Sequence, residues 1–200
     1  LHAASVGETN AVLPLIEALK EQLPGHSLLL TTGKVTSAKI AEKRLPEGAI
    51  HQFVPLDPPS IINRFLDHWR PDLALLVESE IWTNLVLDSA ARNIPLALIN
   101  GIMSPSSYRN WRRRPGLSRP IFGRFNMVLV QNESMHKRFL RLGAKEVEVV
   151  GNLKFDAPKF PVDEGNLQDM RQAVKQRPVF LAASTQQGEE VLVVAAHRKL

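Results

Sequence analysis

At 200 residues, 44% apolar and 22% charged, the chain suits one sizeable globular domain and part of another, and is not a disordered polymer. It has no cysteine, which excludes a disulfide scaffold, a thiolate zinc site and a cysteine nucleophile, and it is compatible with the cytoplasm. The net charge of +5 is unevenly placed: residues 89–132 hold no Asp or Glu but carry Arg92, Arg109, Arg112, Arg113, Arg114, Arg119 and Arg124.

Strand and helix signals alternate at a spacing of about 20 to 25 residues. Residues 1–8, Leu-His-Ala-Ala-Ser-Val-Gly-Glu, read as a strand handing over to a helix at 7–22, in which Val12, Leu15, Ile16, Leu19 and Leu23 recur at helical spacing. Strands are then expected at 26–32, 49–54, 72–78, 95–100, 126–130 and 146–150, with helices at 36–44, 59–68, 81–92 and 133–142. Several of the strands, such as 73–77, are continuous apolar runs and so look buried on both faces. Asn132 is a good helix cap, and Gly143 closes the helix that follows it. Pro105, Pro115 and Pro120 break residues 104–124 into short pieces, with a helix plausible at 106–114. After residue 150 the texture turns polar and proline-bearing, which reads as a linker over 151–166. Beyond it, a helix at 166–176, a strand at 178–183 and a helix at 187–199 would open a second α/β unit. The pattern predicts a parallel sheet covered by helices on both sides.

In such sheets ligands bind at the carboxyl ends of the strands. Gly7 would let a ligand approach the backbone, and Glu8 falls at a helix N-terminus, where it could take a proton from an alcohol or serve only as a first-turn carboxylate. Glu78, Glu80 and Trp82 end the most apolar strand and suggest a ligand pocket, and Lys154 in the turn after residue 150 could reach an anion. Ser184 and Thr185, followed by Glu189 and Glu190, form a second strand-to-helix turn that could hold a phosphate and ribose hydroxyls, or simply cap a helix. The six histidines lack metal-ligand spacing, and neither GxGxxG nor GxSxG occurs. The all-arginine stretch suits phosphate or carboxylate, whether on a phosphorylated ligand, an anionic membrane surface or a nucleic acid; a solvated helix face is the plainer alternative. No apolar run approaches the roughly 18 residues of a membrane span. The chain reads as a piece of a longer protein, lacking an initiator Met and stopping within a predicted helix.

Seven segments in order, HAASVGE at 2–8, LLLTTGKVTSAK at 28–39, PLDPP at 55–59, VESEIWTNL at 77–85, SYRNW at 107–111, VGNLKFD at 150–156 and AASTQQGEE at 182–190, resemble the Kdo (3-deoxy-D-manno-octulosonic acid) transferases of lipopolysaccharide synthesis. The resemblance implies a GT-B glycosyltransferase. It would comprise a complete or nearly complete N-terminal Rossmann-like domain (1–150), a linker (151–166) and the start of a second Rossmann-like domain (167–200). It implies inverting transfer from CMP-Kdo to a lipid A precursor, at the cytoplasmic face of the bacterial inner membrane, with an anchor upstream. Glu8 would be the general base. Gly7, Glu78, Glu80 and Arg109 would bind the acceptor, and Asn152, Lys154, Ser184, Thr185, Glu189 and Glu190 the donor. Neither a metal nor another cofactor is implied, and no nucleic acid is expected as a partner; the arginines would face an anionic membrane surface. Thr83 stands where the family usually has Pro, and Gln186 where it usually has His, while residues 100–107 replace a pattern that normally carries Arg and Glu. The rival readings are another GT-B nucleotide-sugar enzyme and a non-catalytic relative that binds anionic lipid. The 200 residues alone are expected to be inactive.

Overall fold

The first four residues hold the sheet together. In the computed structural model, which describes residues 1–156 and 162–199, His2 pairs in parallel with Thr31 on one side and Leu76 on the other. The Ala3 N–H donates to Thr31 O (3.0 Å) and the His2 N–H to Leu75 O (2.8 Å). This short segment thereby joins a two-stranded piece, β1 (Leu28–Thr32) with β2 (Ala49–Phe53), to a four-stranded piece, β3 (Ala74–Val77), β4 (Leu96–Gly101), β5 (Met127–Val130) and β6 (Val147–Val149). All pairings are parallel. The lateral order is β2, β1, the N-terminal segment, β3, β4, β5, β6. The chain builds outward from the centre, then returns to build the other half. That is the doubly wound arrangement, and its topological switch point lies between the N-terminal segment and β3.

Helices α1 (Val6–Gln22), α2 (Val35–Arg44), α3 (Pro59–Trp69), α4 (Thr83–Ala91), α5 (Pro105–Arg112), α6 (Pro115–Phe122) and α7 (Glu133–Leu142) make the connections. Two apolar clusters result. Around the N-terminal segment, Val12 and Ile16 of α1 pack with Ala3, Leu30, Ala41, Val77 and Ile99. Around β4 and β5, Leu96, Leu98, Val128 and Val130 pack with Val86, Ile121, Phe122 and Phe139. Phe122 meets Phe139 edge-on at 5.7 Å, and each such fully buried ring stabilises the fold by about 1.5–3 kcal/mol.

The six strands expected between residues 26 and 150 form, each within two residues of the predicted ends, while the strand expected at the start of the chain is reduced to the bridges of His2. The stripe expected on α1 is rotated: Ala11, Val12, Leu13 and Ile16 are buried, Leu15 and Leu19 are half-buried, and Leu23 is exposed. The prolines at 105 and 115 do not interrupt helices but begin them, each at a first-turn position where a missing N–H leaves no bond unmade. Helix α6 was not expected; it forms because Ser118, Ile121 and Phe122 find buried places.

The chain divides into two compact units, Leu1–Pro158 and Lys159–Leu200. In the first, a 3₁₀ turn (Leu153–Phe155) follows β6, within the stretch read as linker. Residues 157–161 of that stretch lie outside the described residues. The second unit contains α8 (Glu164–Val174) and α9 (Glu189–His197). The strand expected at 178–183 does not form, and Val179, Phe180 and Leu181 are exposed. A parallel strand exists only through its neighbours, and this unit has no other strand among the described residues.

Candidate functional site

Glu8 lies where the N-terminal segment enters α1, beside the switch point. Ser5 is the N-cap, and Glu8 reaches back over the first turn. The Ala4 N–H donates to Glu8 Oε2 (2.9 Å), the Ser5 hydroxyl donates to Glu8 Oε1 (2.6 Å), and the Glu8 N–H donates to Ser5 Oγ (3.3 Å). This is a variant of the capping box, in which the carboxylate takes the N–H of the residue before the cap and the hydroxyl of the cap residue itself. Glu8 as a residue is only 6% exposed. Two protein donors leave acceptor capacity on its oxygens for one more partner.

Across the switch point, β3 ends in Glu78, whose backbone is left-handed (φ 57°). Lys154 Nζ, from the 3₁₀ turn, forms an ion pair with Glu78 Oε1 at 2.6 Å. The same ammonium would lie 3.8 Å from a β-carbon placed on Gly7. Gly7, Glu78 and Lys154, which the sequence suggested separately, therefore come together. Gly7 itself sits within α1, and a β-carbon there would meet only ordinary contacts. Glu80 accepts from the Trp82 indole N–H (2.9 Å) and has His2 Nε2 at 3.6 Å. The His2 ring, the Trp82 N–H and the Lys34 charge together hold the Glu80 carboxyl below the usual carboxylate range, against the opposing effect of burial.

Asn100, at the end of β4, organises this edge and was not singled out from the sequence. It is 3% exposed and left-handed (φ 54°). Its amide donates to Glu78 Oε1 (3.3 Å), its Oδ1 accepts from the Leu153 N–H (3.1 Å), and its carbonyl accepts from the Gln131 side chain (3.3 Å). The β4–β5 register shifts between Leu98 and Gly101, around this residue. An Asn closing a buried strand just before Gly101 was the available signal. Asn152, by contrast, is occupied locally: its Oδ1 accepts from the Lys154 N–H (3.0 Å) and starts the 3₁₀ turn. Arg109 lies exposed on α5 and forms no ion pair among the described residues.

In the second unit, Ser184 is left-handed (φ 61°) and Thr185 Oγ1 donates to Glu190 Oε1 (3.1 Å). The carboxylates of Glu189 and Glu190 accept from the N–H groups of Gln186 (2.8 Å) and Gly188 (3.1 Å) at the start of α9. The four residues named from the sequence are thus gathered into one turn, with two of its N–H groups already engaged. Its own backbone N–H and the Thr185 hydroxyl hold the exposed Glu190 carboxyl below its usual range.

The family described as 3-deoxy-D-manno-octulosonic-acid transferase (kdotransferase) matches residues 1–157. The chain belongs to the Kdo transferase family. Kdo transferases similar to it include that of Rickettsia bellii, 34% identical over the whole chain and 48% of that protein, and that of Haemophilus influenzae, 30% identical over the whole chain and 48% of that protein. That of Bordetella pertussis is 32% identical over 98% of the chain and 46% of that protein. The chain thus spans a little under half the length of these relatives. Among solved structures, a "putative UDP-N-acetylglucosamine 2-epimerase" from Listeria monocytogenes shares the fold, with a TM-score of 0.56 at 15% identity over 84% of this chain and 50% of that one. The fold is α/β of the GT-B class, as the sequence implied. The HAASVGE and VESEIWTNL segments lie on neighbouring strands at the carboxyl edge of the sheet, and VGNLKFD brings Lys154 to them. The PLDPP segment has a structural part: Asp57 caps α4, accepting from the Asn84 (3.0 Å) and Leu85 (2.9 Å) N–H groups. No helix among the described residues is long and apolar enough to cross a membrane.

Proposed function

We propose that the protein transfers Kdo from CMP-Kdo to a lipid A precursor, with inversion, in lipopolysaccharide synthesis at the cytoplasmic face of the bacterial inner membrane. Residues 1–150 serve the acceptor, residues 167–200 begin the donor domain, and residues 151–166 join them. Glu8 is the general base. As the acceptor hydroxyl oxygen attacks the anomeric carbon of Kdo, its proton passes to the Glu8 carboxylate. The bond from that carbon to the phosphate oxygen breaks, and CMP leaves with the electron pair. Gly7, Glu78, Glu80 and Arg109 contact the acceptor. Asn152, Lys154, Ser184, Thr185, Glu189 and Glu190 contact the donor, and the arginine-rich stretch faces anionic lipid. The observation that carries this reading is a buried carboxylate at the carboxyl edge of a doubly wound sheet, beside its switch point.

The capping box makes Glu8→Gln a clean test. Glutamine serves the N3 position of a capping box as glutamate does, so the fold is kept while the base is removed. In the full-length protein, Kdo transfer from CMP-Kdo to a lipid A precursor is expected to fall by about 10²–10⁴ in kcat, with the melting temperature and CMP-Kdo binding unchanged. Full activity in the variant excludes Glu8 as the base, and a wild type that transfers nothing while binding anionic lipid supports a non-catalytic role.

A further inference from the structure

Helices α5 and α7 both leave the carboxyl edge of the sheet, after β4 and β5, and they pack against each other. Tyr108 of α5 lies between them. The guanidinium of Arg112, one turn on, lies over its ring at 5.7 Å, and so does that of Arg138 from α7. Arg141, one turn beyond Arg138, is the largest influence favouring the ionised phenol, and Tyr108 Oη is shielded from solvent with no hydrogen-bond partner among the described residues. Arg138 also donates to Met103 O, which ties it to the loop between β4 and α5.

The charged groups that converge here are all cationic donors. Guanidinium has no acceptor, and a phenol whose proton lacks a partner is one donor more. None of the three arginines forms an ion pair among the described residues. The nearest sequence offers little relief, because residues 89–132 contain no carboxylate. Three like charges around one ring repel one another unless an anion joins them, and Arg rather than Lys at each position favours a planar, bidentate partner. The positive field acts on the phenol: Arg141 first, then Arg112, holds Tyr108 below the usual tyrosine range.

We propose that Arg112, Arg138 and Arg141 around Tyr108 form a binding site for a phosphate monoester. Its identity as a phosphate group on the glycolipid acceptor rests on the Kdo transfer proposed above; the anion site itself does not. The three guanidiniums donate to the phosphate oxygens, and the site holds the acceptor to the same edge that carries Glu8.

The test is calorimetric titration of the whole protein with glucosamine 1-phosphate, inorganic phosphate and glucosamine, at low salt. Glucosamine 1-phosphate is expected to bind and glucosamine not to. An Arg112→Gln/Arg141→Gln double variant is expected to weaken that binding at least 10-fold. An Arg113→Gln/Arg124→Gln variant, equal in charge and also altered at exposed positions, is expected to change it less than twofold, with both melting as the wild type does. In the transfer assay the first variant raises KM for the phosphorylated acceptor and keeps kcat. Equal weakening in the two variants reduces the site to general surface charge and overturns the proposal. Binding of inorganic phosphate without glucosamine 1-phosphate overturns the monoester assignment. A wild type that binds glucosamine 1-phosphate through these arginines yet transfers no Kdo sinks the transferase reading and leaves the site standing.

Discussion

Glu78 and Asn100 close adjacent strands in the left-handed conformation (φ 57° and 54°), and the amide of Asn100 donates to the carboxylate of Glu78 across 3.3 Å. Two non-glycine residues in this region at neighbouring strand ends are strain held in place by their surroundings. The ion pair from Lys154 and the Asn100 bonds to Leu153 and Gln131 supply that hold. The edge of the sheet where the family's motifs meet is therefore tied to the segment that leaves β6.

Replacing Asn100 separates backbone from side chain. Asn100→Gly relieves the left-handed strain but leaves the Leu153 N–H without its partner, and is expected to destabilise by about 1–3 kcal/mol. Asn100→Ala is expected to be less stable than the glycine variant by about 1 kcal/mol, because alanine resists positive φ. Urea denaturation measures both; equal stability of the two variants would show that the backbone conformation costs nothing.

His2 governs the Glu80 carboxyl. Its Nδ1 lies 3.0 Å from Thr31 Oγ1 and 3.3 Å from Thr31 O, and Nε2 faces Glu80 Oε2 at 3.6 Å. The folded-state carboxyl of Glu80 lies below its ordinary range, so its contribution to stability is present above the unfolded value of about 4.3 and is lost as pH falls through the lower folded value. Carbon-13 carboxyl titration is expected to show Glu80 ionising early and to move upward in His2→Gln. No movement would remove His2 as the cause.

Asp57 caps a helix it does not belong to. Trp82, the N-cap of α4, makes no side-chain cap bond, and both oxygens of Asp57 take its first-turn N–H groups instead. Asp57→Ala is expected to cost about 1–2 kcal/mol, and Asp57→Asn less, since one oxygen remains. A thermal melt of Asp57→Ala that matches the wild type rules out this role.

Thr83 is the first residue of α4, and Trp82 before it is extended (φ −85°, ψ 112°). Both conditions suit proline, which needs no N–H at that position and prefers an extended neighbour before it. Asp57 takes the two N–H groups after Thr83, not its own. Thr83→Pro is therefore expected to stabilise by about 0.4–1 kcal/mol, with transfer activity unchanged. Destabilisation in a chemical melt would contradict this.

What was legible in the sequence was local. Strand signals marked the six strands, several of them as apolar runs, and the Gly7-Glu8 turn after the short opening run placed a carboxylate at a strand-to-helix junction, because both signals are written in residues a few positions apart. Periodicity could not say that His2 would sit between Thr31 and Leu76, or that the sheet would turn back on itself beside it, since those contacts join residues 29 and 74 positions apart. The same limit hid Asn100, whose partner Leu153 lies 53 residues on, and the meeting of Tyr108 with Arg138 from another helix. It also misled at residues 178–183, where an apolar run found no neighbour to pair with among the described residues. Sequence alone determined which segments prefer strand or helix, through local sterics and the burial of one face. Tertiary structure decided which strand ends lie side by side, because long-range pairing is set by the packing of the whole sheet and by no single stretch of it.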